Sequence, residues 1–191
     1  MKEKMSKLVK FLGAVFLVVG ISLIFGDKVL ADSTDEVTND STNIVDFDSL
    51  TKNEQDYFLS KGFTENDIFF SEKVYQTPDS SNTGEVQPYG VNALTLTGAT
   101  QTVTSTMGRT EYILGSTNSM LISFNMQLRL GNAQTYNSAV NASNVHIYGG
   151  GMYYTYTGPR KYHTVKLTAQ VLKGFGYGTV SCTAGGLTLG S

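Results

Sequence analysis

Few side chains in the second half of this chain could carry out acid–base or nucleophilic chemistry. Residues 90–191 contain one carboxylate, Glu111, two histidines, His146 and His163, and one cysteine, Cys182. Glycoside hydrolysis normally needs two carboxylates that flank the scissile bond, and a metal site needs clustered His, Cys, Asp or Glu ligands. A Ser–His–Asp triad would have to take its acid from the N-terminal half. We therefore predict no catalytic residue, no metal site and no cofactor.

The single cysteine cannot form an internal disulfide. Its neighbours in the stretch TVSCTAGG are small or apolar, and a free cysteine of this kind behaves as a small hydrophobic residue. We predict that Cys182 is a buried structural thiol.

The stretch VHIYGGGMYYTYTGPRKYHT, residues 145–164, could be a ligand loop or two strands with a turn. A phosphate loop would need the pattern Gly-x4-Gly-Lys-Ser/Thr and a following helix, and the stretch has neither. Side chains alternate on both sides of the glycines, which indicates strands, and glycine within a strand often marks a bulge or bend. We predict one strand entering the glycines, a second leaving them, and a turn at 158–161.

Tyrosines follow one another so closely after the glycines that both faces of a strand receive them. Some rings must then face solvent beside cationic neighbours, an arrangement that suits stacking on sugars or binding of anionic polymers. The alternative is an ordinary solvated sheet face. The candidate ligand-binding residues are Tyr153, Tyr154, Tyr156, Arg160, Lys161, Tyr162 and His163.

The elements that position these residues are predicted to be strands. Two stretches alternate with period two: Ile122, Phe124, Met126, Leu128 and Leu130 in one, and Val165, Leu167, Ala169 and Val171 in the other. We expect a mainly β chain, with an antiparallel β-sandwich of six to eight strands over residues 93–191 and a short acidic helical segment before it.

Residues 47–76 are predicted to form a helix–Gly–helix unit. Thr51 followed by Glu54 has the spacing of a capping box, and Gly62 is a typical C-terminal stop. A second helix is predicted to begin at Thr64, with the apolar residues up to Val74 on one side. A unit of this size cannot bury a core of its own, so it must lie on something else.

Charge divides the chain. Residues 32–89 hold three basic and thirteen acidic residues, a net charge of −10, whereas residues 90–191 hold six basic residues and one acidic, a net charge of +5. We predict an acidic disordered arm at 32–46 and a linker with Pro78 and Pro88 at 77–92. The acidic segment can dock on the β domain. Nucleic acid is not an expected partner, since the chain after residue 31 is net acidic and predicted to be exported.

The first 31 residues have the order of a secretory signal peptide. Four lysines come first, an apolar run follows from Phe11 to Phe25, and VLAD at 29–32 places small residues at a cleavage site between Ala31 and Asp32. The alternative is a retained anchor, but the run is short for a span of about 20 residues. We expect a secreted protein, free or held non-covalently at a cell wall, with no retained transmembrane helix.

Two functions are compatible with these patterns. In the first, a secreted, non-enzymatic β-sandwich binds an anionic envelope polymer or glycan through a basic, Tyr- and Thr-rich face. In the second, residues 32–89 are an acidic pro-segment, and a bacteriocin-like or membrane-active β domain is released by a cut near GEVQPYG.

Two stretches carry resemblances. LTKNEQDYFLSKGFTENDI, with the layout of signal, acidic helical segment, QPYG joint and β domain, resembles a loose group of small secreted proteins of Gram-positive bacteria. YYTYTGPRKYHTVKLTAQV is similar to lactococcin-type bacteriocins, in which Tyr-rich and His-containing residues precede a strand. The second resemblance implies a small β-sandwich, and neither implies a catalytic residue.

Overall fold

The computed structural model describes residues 43–76, 92–174 and 176–191, which contain nine β-strands, one α-helix and one short 3₁₀ helix. The strands form two antiparallel sheets: sheet A in the order β1-β2-β3-β4-β7 and sheet B in the order β6-β5-β8-β9. In chain order the elements are β1 (Ile44–Val45), the 3₁₀ helix (Phe47–Ser49), α1 (Lys52–Ser60), β2 (Ile68–Gln76), β3 (Asn92–Thr104), β4 (Met107–Ser116), β5 (Leu121–Leu130), β6 (Gln134–Val145), β7 (Ile147–Thr155), β8 (Lys161–Lys173) and β9 (Gly176–Leu189). The predicted antiparallel β-sandwich is confirmed, with seven strands from Asn92 onward and two more before them.

One apolar core fills the space between the sheets. Sheet A contributes Phe70, Leu94, Leu96, Tyr112 and Leu114, and sheet B contributes Met126, Leu128, Leu167, Val171 and Cys182, among others. Full burial of one such Leu or Phe side chain stabilises the folded state by about 1.5–3 kcal/mol. Cys182 is buried as predicted, and its Sγ donates a hydrogen bond to the Leu96 carbonyl oxygen at 3.3 Å. Burial raises the pKa of this thiol, so it stays protonated.

Alternation along β5 and β8 places their apolar side chains in this core, as the sequence predicts, with one exception. The register of β5 shifts between Leu121 and Ser123 on both of its neighbours. Leu121 is fully buried and Ile122 only partly, so the prediction that Ile122 belongs to the inward set is wrong. A local shift of one residue exchanges the two faces of a strand, and alternation alone does not show where it occurs.

Helix α1 begins and ends where the sequence predicts. The Thr51 hydroxyl accepts from the Glu54 amide, and the Glu54 carboxylate accepts from the Thr51 amide at 2.9 Å, so both halves of the capping box are formed. Gly62 follows the helix with φ +80°, a left-handed conformation that favours glycine.

The second predicted helix is wrong, because Ile68–Gln76 is strand β2. Thr64 and Asp67 do form a local turn, since the Thr64 amide donates to the Asp67 carboxylate at 2.7 Å, but the chain then extends. Phe69 and Phe70 are both buried on opposite faces of β2, the first under α1 and the second in the main core. A strand covered on both faces has a continuous apolar run, which periodicity does not separate from a helix.

A smaller apolar core lies on the other side of sheet A. Phe58 of α1 and Phe63 pack on Phe69 and Ala99, and Leu50 completes the cluster. The ring centroids of Phe58 and Phe69 are 5.6 Å apart at an interplanar angle of 66°. Helix α1 therefore covers part of the outer face of sheet A, as expected for a unit too small to bury a core alone.

Hydrogen bonds join the edge strands of the two sheets on both sides of the sandwich. On one side the Asn43 amide donates to the Thr183 carbonyl, the Thr183 amide donates to the Asn43 side chain, and the Ser71 amide donates to the Asn43 carbonyl, each at 2.9 Å. On the other side the Tyr136 hydroxyl donates to the Thr155 carbonyl at 2.7 Å and accepts from the Thr155 amide at 3.2 Å. Both sheets are thus tied together at their edges.

The boundaries predicted for the N-terminal regions are tested only in part. The signal peptide 1–31 with its site at Ala31 and Asp32, residues 32–42 of the arm, and residues 77–91 of the linker lie outside the described residues. The last residues of the predicted disordered arm contain strand β1, and Asn92 already belongs to β3. Strands β1 and β2 are part of sheet A, so the sandwich includes residues that the sequence assigned to a separate segment. Within the described part of the chain, no helix has the length and apolar character to cross a membrane.

The glycines at 149–151 lie inside one strand, β7, which pairs with β4 with no register shift. The predicted bend and the predicted pair of strands at this point are therefore wrong. Side chains of neighbouring elements occupy the space where a Cβ would be: the Tyr57 ring and the Tyr112 hydroxyl, each 2.7 Å from such an atom at the first and second glycine, and the Glu111 carboxylate at the third. The glycines are needed for this close approach.

Candidate functional site

The seven candidate residues at the β7–β8 connection do not share one surface. Tyr153 is 60% exposed on the outer face of sheet A, and Tyr162 is 64% exposed on the outer face of sheet B. Tyr154 and His163 are buried between the sheets. Some of the rings face solvent, as the sequence predicts, but they lie on opposite sides of the sandwich, because residues adjacent in a strand point to opposite faces.

Tyr154 belongs to a buried hydroxyl cluster. Its hydroxyl lies 2.7 Å from Thr100 Oγ1 and accepts from Thr110 Oγ1 at 3.3 Å, and Thr110 also donates to Thr100 at 2.9 Å. Burial raises the pKa of Tyr154. The ring packs against Gly108, where a Cβ would overlap it. Tyr154 therefore has a packing role within the core.

His163 is also turned inward, at the start of β8. Its ring centroid lies 4.2 Å from that of Tyr156, and its Nε2 has no hydrogen-bond partner among the described residues. Burial, and secondarily the charge of Lys161, lower the pKa of His163, so the imidazole is neutral near pH 7.

Three of the candidates remain together at one end of the sandwich. Arg160 and Lys161 are exposed, and the Lys161 ammonium lies 5.9 Å from the centre of the Tyr156 ring. The chain terminus packs beside them, since the Ser191 amide donates to the Gly158 carbonyl at 3.1 Å. Tyr156, Arg160 and Lys161 therefore make this end of the molecule cationic and partly aromatic.

A larger candidate surface is the outer face of sheet B. The four strands place their outward side chains in cross-strand rows. From one end of the face to the other the rows are Thr135, Arg129, Lys166 and Thr183, then Asn137, Gln127, Thr168 and Ser181, then Ala139, Asn125, Gln170 and Thr179, and last Asn141, Ser123, Leu172 and Tyr177. Amides and hydroxyls predominate, and none of these side chains is a carboxylate.

Neighbouring side chains on this face hydrogen-bond across strands. Gln127 Nε2 donates to Asn137 Oδ1 at 3.2 Å, and the hydroxyls of Thr168 and Ser181 lie 2.8 Å apart. Each amide and hydroxyl has further donors or acceptors available to a ligand. The face is thus a set of polar groups held in fixed positions by the β-ladder.

An open depression of about 760 Å³ lies at one end of this face. Its lining is mainly apolar, with Ile122, Phe124, Ala139, Val140, Leu172 and Tyr177, and its polar groups are Ser123, Asn125, Asn141 and Gln170. The Tyr177 side chain is 85% exposed. A ring of this kind beside amide groups can stack on one face of a sugar while the amides bond its hydroxyls.

Charge on sheet B is of one sign. Its four strands contain Arg129, Lys161, Lys166 and Lys173 and no aspartate or glutamate. Arg129 and Lys166 are directly opposite each other on adjacent strands and both point outward. Neither cation forms an ion pair within the described part of the chain, and two such cations side by side favour an anionic ligand.

The carboxylate of Glu111 lies on the opposite side of the molecule. It is buried beneath α1, where its Oε2 accepts a hydrogen bond from the Tyr57 hydroxyl at 3.3 Å. Burial and the nearby Glu111 charge raise the pKa of Tyr57. Arg109, two residues before Glu111, lies with its guanidinium 4.5 Å from the centre of the Phe63 ring. Both charged residues hold the helix on sheet A.

The described residues include no group of three or more His, Cys, Asp or Glu side chains that could hold a metal ion. The polar face of sheet B could have been found from the alternation of β5 and β8, whose outward residues are visible in the sequence. Joining them into one surface requires the pairing of β6, β5, β8 and β9, which the sequence does not show.

No protein-family model matches this chain, and no curated protein or solved structure matches it either.

Proposed function

We propose that this chain is a secreted, non-enzymatic protein that binds an anionic, sugar-containing polymer of a cell envelope through the outer face of sheet B. The proposal rests mainly on a difference between the two outer faces of the sandwich. Helix α1 packs on sheet A, while the described residues leave the outer face of sheet B open. A polar, rigid and carboxylate-free face of four strands then faces solvent.

Two kinds of group on this face support an anionic glycan in particular. The rows of Asn, Gln, Ser and Thr can exchange hydrogen bonds with sugar hydroxyls, and Tyr177 offers an aromatic surface at the end of the depression. Arg129 and Lys166 supply paired positive charge for phosphate or carboxylate groups. A neutral glycan would use the first set of groups only.

The pro-segment alternative is less well supported. Strand β2 pairs with β3 over nine residues, and its Phe70 lies in the main core. Its ring also fills the space above Gly98, where a Cβ would overlap it. Removal of residues 32–89 would withdraw β1, α1 and β2, and would expose the apolar area under α1 and the part of the main core that Phe70 covers. The acidic segment is better described as part of the fold than as a removable mask.

The proposal is tested with the full chain, produced in a secreting host and purified in the form that the host releases. Binding is measured by co-sedimentation with Gram-positive cell walls, before and after chemical removal of their anionic polymers. We expect binding to the intact walls that weakens with rising salt, since exposed charges are screened. Arg129→Ser combined with Lys166→Ser should weaken binding about tenfold or more, because charge-assisted hydrogen bonds contribute about 1.5–3 kcal/mol each.

A matched control removes two cations from the other side of the molecule, Lys52→Ser combined with Lys61→Ser, and should bind as the unaltered protein does. Tyr177→Ser separates sugar stacking from charge, since it should weaken binding without changing the salt dependence. The proposal fails if intact walls are not bound, or if the sheet B and helix-side variants weaken binding equally.

A further inference from the structure

The free edge of sheet A is strand β7, which pairs only with β4 among the described residues. The backbone N–H and C=O groups of every second residue of β7 point away from β4. Tyr156 N donates to the Thr106 carbonyl on the β4 side, and the His146 carbonyl accepts from Ser116 of β4. Residues of the opposite parity, Ile147, Gly149, Gly151 and Tyr153, therefore direct their N–H and C=O groups outward.

This edge lacks the devices that usually protect a sheet. Its sequence, IYGGGMYYT, contains no charged residue and no proline, and its pairing with β4 has no register shift. Natural edge strands are typically blunted by charges, prolines or bulges. Two of its outward-directed residues are large and apolar, with Ile147 68% and Tyr153 60% exposed. An edge of this kind is suited to receiving another strand.

The other edges of the two sheets are less available. Strand β1 has two residues, and Asn43 beside it binds Thr183 of β9, so these two edges cover each other. Strand β6 carries Ser143 and Asn144 with positive φ near its end, which interrupts a regular ladder. Among the described residues, β7 presents the most regular open edge.

The free part of β7 has its midpoint at Gly150. It begins with Ile147 and stops before Thr155, whose N–H and C=O are both taken by the Tyr136 hydroxyl. An antiparallel partner of identical sequence, placed about a two-fold axis at Gly150, pairs Ile147 with Tyr153 of the second copy and Gly149 with Gly151 of the second copy. All of these residues direct their backbone groups outward, so each pair can exchange two hydrogen bonds, about eight in total.

The side chains also match in this arrangement. Ile147, Gly149, Gly151 and Tyr153 all lie on the outer face of sheet A, so each exposed Ile147 packs beside a Tyr153 ring of the second copy. The glycines face each other in the middle of the strand with no side chain between them. An isologous interface requires such self-complementarity, in which one residue contacts another and the second contacts the first.

We infer that two copies of this chain associate through β7 about a two-fold axis at Gly150, so that their sheets A join into one continuous sheet. The site is separate from the outer face of sheet B, and the inference does not depend on the proposed function. The dimer would present two sheet B faces to one polymer, which increases avidity without any new contact.

The test measures the mass of the full chain, in the form released by a secreting host, by sedimentation over a range of concentrations. We expect a dimer. Ile147→Lys combined with Tyr153→Lys should weaken association at least tenfold, because it places charges on the paired edge. Tyr162→Lys, an equally exposed tyrosine on sheet B, should leave association unchanged. A monomer at every concentration, or equal weakening by both changes, would overturn the inference.

Cysteine cross-linking tests the register. Ile147→Cys combined with Tyr153→Cys should give a covalent dimer on mild oxidation, whereas either change alone should not, since identical residues lie far apart in this pairing. Cys182 is buried and stays out of the reaction. Cross-linking by the single variants would disprove the register. Protection of the β7 edge amides from hydrogen exchange in a monomer would show that another segment of the same chain occupies the edge, and would also overturn the inference.

Discussion

Helix α1 covers part of the outer face of sheet A, whereas no described helix packs on the outer face of sheet B, which is mainly polar. On sheet A, Phe69 and Ala99 point outward and are buried under α1. On sheet B, the outward-pointing side chains include Gln127, Thr168 and Ser181, which are partly exposed to water. The sequences differ accordingly: β2 has a short apolar run, Ile68–Phe70, where α1 and the main core cover its two faces, and β5 and β8 alternate because only one of their faces is covered.

Charge follows the same division. Residues 43–76, which form the cover and the edge of sheet A, hold seven acidic and three basic residues, and the strands of sheet B hold basic residues alone. The charge asymmetry of the sequence thus becomes an asymmetry between the two sides of one sandwich. The acidic side carries the helix that packs on sheet A, and the basic side has no described helix packed on it.

Truncation of Phe58, which lies between α1 and sheet A, should have the largest effect on stability. Phe58 is fully buried between α1 and sheet A, so Phe58→Ala is expected to lower the free energy of unfolding by about 3–5 kcal/mol. Leu59→Ala is the control on the same helix, because Leu59 is 44% exposed and its truncation should cost much less. Urea denaturation of both variants measures the difference. Equal losses would mean that α1 is not held by the Phe58 contact.

A matched pair of threonines compares hydrogen bonds on the two faces. Thr97 is buried, lies 3.1 Å from the Ser71 hydroxyl and donates to Glu54 at 2.8 Å. Thr97→Val should cost about 1–2 kcal/mol, because it leaves buried groups without a partner. Thr168→Val removes the bond to Ser181 on the open face, where water can replace it, and should cost about 0.5 kcal/mol or less. Urea denaturation tests the pair, and a larger cost at Thr168 would contradict the assignment of the open face.

The smallest effect concerns His163, which points from sheet B into the core, and it depends on pH. Because burial lowers the pKa of His163, the folded protein binds a proton there less readily than the unfolded chain. The stability associated with neutral His163 is present above the ordinary pKa of about 6.5 and is lost as the pH falls through the lowered pKa. His163→Leu should therefore flatten the decline of unfolding free energy below that pH. Identical curves for the unaltered protein and the variant would refute a buried neutral His163.

The sequence predicts best where local patterns decide the structure. The Thr51 capping box, the Gly62 helix stop and the inward alternation of β8 all depend on residues a few positions apart, and all are confirmed. The β-sandwich follows from the same alternation repeated along the chain. These features need no knowledge of which strands are neighbours.

The errors arise where distant residues decide. Val74 and the phenylalanines before it were expected in a helix because nothing in the sequence shows that β2 has sheet B on one side and α1 on the other. Tyr154 could have faced either side, and the choice is made by Thr100 and Thr110 on other strands. The glycines at 149–151 look like a bend, but their role is to leave room for Tyr57 and Glu111. The open face of sheet B likewise exists only once four strands are paired.

The pairing of β2 with β3 has a consequence for how the molecule could be divided. Their ladder joins residues 68–76 to residues 92–100, and residues 77–91 connect the two strands in the sequence. A cut in that connection would leave a short fragment, with β1, α1 and β2, that matches the larger fragment along nine paired residues and two apolar surfaces. The chain is therefore suited to fragment complementation: the two pieces, made separately, should reassemble into one sandwich, and the smaller could serve as a removable tag for the larger.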